Sequence, residues 1–200
     1  MTDNFALLNE PRRPWLDADL LKQKFIILSS EVHPDCVHNA GDADKLAANQ
    51  RYTELNAAYN CLREPKDRLR HLLELERGAA SRDMRQPPGD LVEMSFEVGR
   101  ICREADALIA ESAKATSPLL KVEMFERSQN QIEKLNDLQQ TIAVRRDQVV
   151  KELREIDTVW QKNSTDCGSL LPQLEIIGGQ LGFFARWQNQ LQERLVRLAF

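Results

Sequence analysis

The amino-acid sequence predicts an all-α fold, an N-terminal helical hairpin followed by a C-terminal three-helix bundle. Apolar residues recur at three- and four-residue spacing through almost every segment, and no run alternates with the period of two that a strand pair needs. Pro34, Pro65, Gly78 and Pro118 fall where these runs start or stop, which is where a helix tolerates them. With 200 residues, 42% hydrophobic and 29% charged, the chain can build one domain of ordinary size or two small ones.

The first clear stripe is Leu21, Phe25, Leu28 and Val32, a four-three-four spacing along one face of an amphipathic helix. Pro34 stops it. A turn containing Asn39 and Gly41 leads to a second stripe, Ala48, Tyr52, Leu55, Tyr59 and Leu62. Two helices with matched stripes and a short connection should fold back on each other as an antiparallel hairpin, with His33, Pro34 and Asp35 at its tip. Pro65 suits a first helical position, since its missing N–H has no intrahelical partner there. Leu69, Leu72 and Leu73 then give a third helix ending near Gly78, which closes a unit of about seventy-five residues.

The polar stretch "RGAASRDMRQPPGD" has the composition of a linker. Beyond it, Asp90 and Glu93 have the spacing of a capping box and open a helix carrying Leu91, Met94, Val98, Ile101, Ala105 and Leu108. Ser117-Pro118 starts the next helix. Its stripe is Phe125, Ile132, Leu135, Ile142, Val149, Leu153, Ile156 and Trp160, roughly 60 Å if unbroken. "NSTDCGS" ends it, and a last helix carries Leu174, Ile177, Leu181, Phe184, Leu191, Leu195 and Leu198. Three stripes can meet in one bundle. Gly178, Gly179 and Gly182 interrupt the last helix at a cost of about 1 kcal/mol each relative to alanine, for which close helix approach or local bending are the two reasons.

Chemistry is sparse. There is no phosphate loop, and no Ser, Cys or Lys has a partner spacing that suggests a nucleophile, so the chain is not expected to be an enzyme. His33, Cys36 and His38 form H-x-x-C-x-H, but nothing nearby completes a set of four ligands, and neither a metal nor a cofactor is expected. Cys36, Cys61, Cys102 and Cys167 lie far apart with no CxxC pair and are expected as free thiols. A net charge of −4 with interspersed signs argues against nucleic acid as partner. No window is apolar enough to span a membrane, and the first residues show neither an export nor an import signal, so a cytoplasmic protein is expected. The partner should be a protein.

The quoted patterns resemble a known family. "LLKQKFIILSSEVHPDC" with "YTELNAAYNCLREPKDRLRHLLEL" resembles a J-domain. The N-x-A-Y-x-x-L-x-x-P-x-x-R-x-x-x-L-L pattern (Asn56, Ala58, Tyr59, Leu62, Pro65, Arg68, Leu72, Leu73) is similar to the HscB type, J-domain co-chaperones of iron–sulfur cluster assembly. "FALLNEP", "LDADLL", "DLVEMSFEV" and "LGFFARWQNQLQERL" extend the likeness over nearly the whole chain.

The resemblance implies a J-domain over residues 1–76, a linker over 77–89 and a scaffold- or client-binding three-helix domain over 90–200. It implies that His33, Pro34 and Asp35, with Lys22 and Lys24 on the preceding helix, engage a DnaK/HscA-type heat-shock chaperone and promote its ATP hydrolysis. Asp35 would offer a carboxylate for charge-assisted pairing, and Pro34 would reduce the loop's freedom before docking. The same resemblance places an IscU-like iron–sulfur scaffold protein on Leu91, Val92, Phe96, Glu97, Glu104 and Phe183. Core packing is the other role open to Leu91 and Phe96. Three departures stand out: Ser29, Ser30, Glu31 and Val32 before the motif, Cys36 after it, and Arg100 at an acidic position. They leave a second reading open, a helical interaction protein with another client and little ATPase stimulation.

Overall fold

The computed structural model describes residues 2–33, 41–79, 84, 86–162 and 167–199. Their helices are α1 (Asn4–Leu7), α2 (Ala18–Glu31), α3 (Asp42–Arg63), α4 (Pro65–Arg77), α5 (Val92–Ser112), α6 (Pro118–Lys162) and α7 (Leu171–Ala199). Short 3-10 turns at Gly89–Leu91 and Gly168–Leu170 lead into α5 and α7. No strand occurs among the described residues, as the periodicity requires. α6 runs unbroken for 45 residues. The chain packs as two units: Met1–Asp83 with Lys151–Gly178, and Met84–Val150 with Gly179–Phe200. Thus the end of α6 and the start of α7 belong to the same unit as α1–α4.

In the first unit, α1 is a single turn that the apolar periodicity passes over. The Asp3 carboxylate caps it, accepting from the N–H groups of Phe5 (3.0 Å) and Ala6 (3.3 Å). Phe5 and Leu8 are fully buried. The chain then reverses at Asn9, whose left-handed φ of 54° is one that asparagine tolerates. Leu21, Leu55, Ala58, Leu62, Leu69, Leu72 and Leu73 form the core with Leu153, Ile156, Trp160, Leu174 and Ile177. Pro65 opens α4 and Gly78, at φ 65°, ends it, its N–H donating to the Glu74 carbonyl.

Between α1 and α2 the backbone has no regular structure, so its carbonyls need other donors. Lys24 Nζ donates to Asn9 O (3.0 Å), Trp160 Nε1 to Arg12 O (3.0 Å) and Arg68 Nε to Pro14 O (2.9 Å). Arg68 is buried and also donates to Leu62 O (2.8 Å). Burial pushes its pKa down to about 10. Asp157 on α6, 2% exposed, faces the same segment. Its carboxylate accepts from Arg13 Nε (3.0 Å) and Nη2, the Trp15 N–H (3.2 Å) and Gln161 Nε2 (2.8 Å). The hydrogen bond to Asp157 raises the Arg13 pKa. Trp15 is flanked by the Arg154 guanidinium, 4.9 Å from its ring centre.

The second unit is a three-helix bundle. Gln131 of α6 donates to the Ile101 carbonyl of α5 (3.1 Å). Arg194 of α7 donates to the Cys102 carbonyl (3.3 Å) and to Asp106 (2.7 Å) of the same helix. Gln139 of α6 meets Gln192 of α7 at 3.3 Å. Between them lie Val98, Ile101, Ala105, Leu108, Leu135, Ile142, Leu181, Phe184 and Leu191.

Two sequence expectations are corrected here. The early part of the α6 stripe is out of phase: Phe125 is exposed while Met124 is buried. Counting back from Leu135 at helical spacing, the inward face runs through Gln131 and Ser128, both buried, to Met124. Two polar residues on the core face conceal the true phase. Asp90 likewise does not cap α5, which starts without a side-chain cap. Its carboxylate instead accepts from Arg145 (2.7 Å) and Gln180 (2.9 Å). Of the three α7 glycines, two have close neighbours: Leu69 Cβ lies 3.7 Å from where a Cβ on Gly178 would sit, and the Met84 thioether occupies that place at Gly179. Gly182 has nothing near it. Cys61, Cys102 and Cys167 form no disulfide among the described residues, and burial raises the pKa of the first two.

His71 gives this unit a pH dependence. Its Nε2 accepts the Asn4 N–H at 3.0 Å, and its ring stacks on Phe5 at 5.8 Å. Burial holds its pKa below the ordinary value, against the charges of Asp3 and Glu74 that favour protonation, while Arg12 and Arg70 oppose it. The unfolded chain therefore takes up a proton more readily, so the stability from neutral His71 is complete above about pH 6.5 and falls as pH drops from there. Thermal melts between pH 7.5 and pH 5 should show a steeper loss for the native protein than for His71→Gln, which cannot titrate. Equal slopes would contradict this role.

Candidate functional site

The predicted chaperone-facing site sits on the α2–α3 hairpin. Asp17 caps α2, accepting from the N–H groups of Asp19 and Leu20 (both 3.0 Å), and so fixes where the helix begins. Two aromatic pairs then zip the hairpin. Phe25 stacks on Tyr59 with ring centres 4.3 Å apart, and His33 meets Tyr52 edge-on at 5.4 Å. Phe25 lies on the stripe of α2 that faces α3, and Tyr52 and Tyr59 lie two turns apart on one face of α3. His33 is half-buried, just past the last turn of α2. Pro34 and Asp35 lie outside the described residues, as do Cys36 and His38 of the H-x-x-C-x-H pattern.

The two lysines differ. Lys22 is exposed. Lys24 turns back to the N-terminal segment, where its ammonium pairs with Glu10 at 2.8 Å besides its bond to Asn9 O. Ser29 and Ser30 donate into the helix, to Ile26 O (3.1 Å) and Ile27 O (2.7 Å), and so compete with its last turn. Ile26 and Ile27 themselves point to solvent, which sequence periodicity signals only by their position off the Leu21–Phe25–Leu28 stripe.

The residues expected to meet a scaffold protein divide by burial. Leu91 is fully buried and Phe183 is 6% exposed, so both belong to the bundle core. Phe183 packs on Trp187 (5.6 Å), with the Arg186 guanidinium 4.1 Å from its ring centre. Val92 and Phe96, one turn apart on α5, are exposed, Phe96 by 75%. Glu97 and Glu104 flank the same helix and are joined by Arg100. Its guanidinium reaches Glu97 through two nitrogens (2.6 and 3.1 Å) and Glu104 through a third. Lys134 adds a contact to Glu104 at 3.4 Å. The Arg100 hydrogen bond lowers the Glu97 pKa. Arg100 and Lys134 thus neutralise the two glutamates locally, beside an exposed phenylalanine.

No cluster of three or more potential metal ligands occurs among the described residues. No helix searched is long and apolar enough to cross a membrane.

No protein-family model matches the chain. It is 32% identical to the co-chaperone protein HscB homologue of Paraburkholderia phytofirmans over 138 residues, 68% of this chain and 76% of that protein. It is 30% identical to the co-chaperone protein HscB homologue of Burkholderia vietnamiensis over 176 residues, 86% of this chain and 95% of that one. Among solved structures, the chaperone HscB from Vibrio cholerae superposes with a TM-score of 0.64 over 96% of both chains, at 20% identity.

Burial predicts opposite phenotypes for two neighbours on this surface. Leu91→Ala should destabilise the bundle by about 2 to 5 kcal/mol. Phe96→Ala should leave the melting temperature within a degree or two, because little of its ring leaves water on folding. Thermal melts of the two variants check this. A large drop for Phe96→Ala would show that the ring packs in the core.

Proposed function

This chain belongs to the HscB co-chaperone family, and on that premise we propose that it stimulates ATP hydrolysis by a DnaK/HscA-type chaperone and delivers to it an IscU-like iron–sulfur scaffold protein. In this reading residues 1–76 act as the J-domain, 77–89 as the connection and 90–200 as the scaffold-binding part, in the cytoplasm. His33, Pro34 and Asp35 make the chaperone contact, with Lys22 as the nearby exposed cation. The hydrolytic groups belong to the chaperone, so the chain itself is not an enzyme. Val92, Phe96, Glu97 and Glu104 receive the scaffold, backed from beneath by Leu91 and Phe183.

The observation that carries the proposal is the pinning of His33 against Tyr52 at the end of the α2–α3 hairpin. A side chain held by an edge-on ring contact loses less freedom on docking than one on a free loop, which favours binding. The pairing of Lys24 with Glu10 supports a contact with few free charges, whose association should be slower and less sensitive to salt than a strongly basic face would give. The second reading, a helical interaction protein that no longer stimulates hydrolysis, is favoured by the sparse charge and by Arg100.

A single-turnover ATPase assay with the organism's own chaperones separates the two. His33→Gln should abolish stimulation, while helix content stays unchanged and the melting temperature falls only by the loss of one half-buried ring contact. Stimulation by the native protein that survives in His33→Gln would overturn the proposed mechanism. No stimulation by the native protein with any chaperone would leave the second reading standing.

A further inference from the structure

We infer that the chain self-associates weakly through the end of its α5–α6 hairpin, two copies packing antiparallel along Val122 and Phe125 of α6. The start of α6 outruns its neighbour. α7 runs opposite to α6 and meets it where Gln139 bonds Gln192. Seven residues on from Gln192 is Ala199, the last residue of α7, and seven back from Gln139 is Ile132, which is half-buried. Seven further back is Phe125, on the same face of α6 and past the end of α7. On its other side the start of α6 is held by α5, through Arg127 to Glu111 (2.7 Å) and Gln131 to the Ile101 carbonyl (3.1 Å). The face that would continue the α7 seam is in water.

That face is apolar. Five of the seven residues from Leu119 to Phe125 are apolar, yet only Met124 turns into the bundle. Leu119, Val122 and Phe125 are each more than half exposed, and their three-residue steps keep them on one stripe. Leu120 beside them is 44% exposed. Apolar residues scattered singly on a surface are ordinary, whereas a contiguous group in one place marks an interface. This one lies at the opposite end of α5 from Phe96, so it is separate from the surface described there.

A second copy suits this stripe in geometry, charge and size. Val122 and Phe125 have the spacing of two successive seam positions in a coiled coil. An antiparallel copy sets each Val122 against the other's Phe125, small against large, and each hairpin end then fills the space beyond the other's α7. A parallel copy is blocked, since both α7 helices would enter the same seam from Ile132 onward. Lys121 and Glu126 lie on opposite flanks of the stripe, so the face has no net charge with which to repel its copy. For the same reason it lacks the cationic rim that favours an anionic lipid surface. Covering Leu119, Leu120, Val122 and Phe125 on two copies removes roughly 1,000 Å² from water, the lower bound for a specific interface, so the dimer is a weak one.

Sedimentation equilibrium of the full chain, from about 10 to about 500 µM, is the test. The mean mass should rise from the monomer's towards twice that value across this range. Val122→Glu combined with Phe125→Glu should weaken association at least about tenfold and leave the melting temperature unchanged, because both side chains already face water. A second measurement needs no substitution. In a sample mixing copies with labelled Val122 methyl groups and copies with a labelled Phe125 ring, nuclear Overhauser contacts between the two should appear at the highest concentration. A monomer at every concentration, a dimer that the double variant leaves intact, or a dimer without the Val122–Phe125 contact would each overturn the inference. So would a chain that stays monomeric but binds vesicles of phosphatidylcholine and phosphatidylglycerol through the same residues.

Discussion

The first unit depends on one carboxylate. Asp157 is buried, and two oxygens accept from four donors contributed by Arg13, Trp15 and Gln161. A buried carboxylate without such partners costs several kcal/mol, whereas one fully surrounded by donors holds its neighbours in place. Here the neighbours are a stretch of chain that belongs to no helix. Around it, Lys24, Trp160 and Arg68 supply donors to the carbonyls of Asn9, Arg12 and Pro14. α2, α4 and α6 are thus tied to one another through a segment belonging to none of them.

The functional consequence follows along the chain. Asp17 caps α2 one residue after buried Leu16, so the anchored segment sets both the start and the rotation of α2. That rotation turns Leu21 inward and Phe25 onto Tyr59, and brings His33 to Tyr52. It also leaves Ile26 and Ile27 in solvent. The placement of His33 is therefore established some fifteen residues upstream, by contacts with a helix end more than a hundred residues away in sequence.

Much of this fold was legible because helices declare themselves locally. The stripe through Leu21 and Phe25, the punctuation at Pro34, Pro65 and Gly78, and the stripe through Leu55 and Leu62 are all short-range patterns, and the helices lie where they indicate. What escaped was long-range or carried by polar groups. The Arg13–Asp157 pair has no spacing to recognise, and α1 is too short to show a period. Buried Gln131 and Ser128 put polar letters on a core face and displaced the apparent phase of α6 to Phe125. Asp90 and Glu93 had the spacing of a cap, but Arg145 and Gln180 compete for the same carboxylate and win it. On the α5 surface the residue types were legible while their depth was not: Leu91 and Phe96 look alike as letters, yet one is fully buried and the other faces water.

Hydrogen exchange of Asp157→Ala tests the account most directly. Removing the carboxylate strands the half-buried Arg13 guanidinium and frees the Trp15 N–H, a loss of about 3 kcal/mol for a pair of this kind. Amide protection should fall from Glu10 through Leu21 and at the start of α2, while the second unit, with its core of Ile101, Leu135 and Phe184, keeps its protection. Unchanged protection from Glu10 through Leu21 would contradict the claim that Asp157 anchors this segment and, through it, the hairpin.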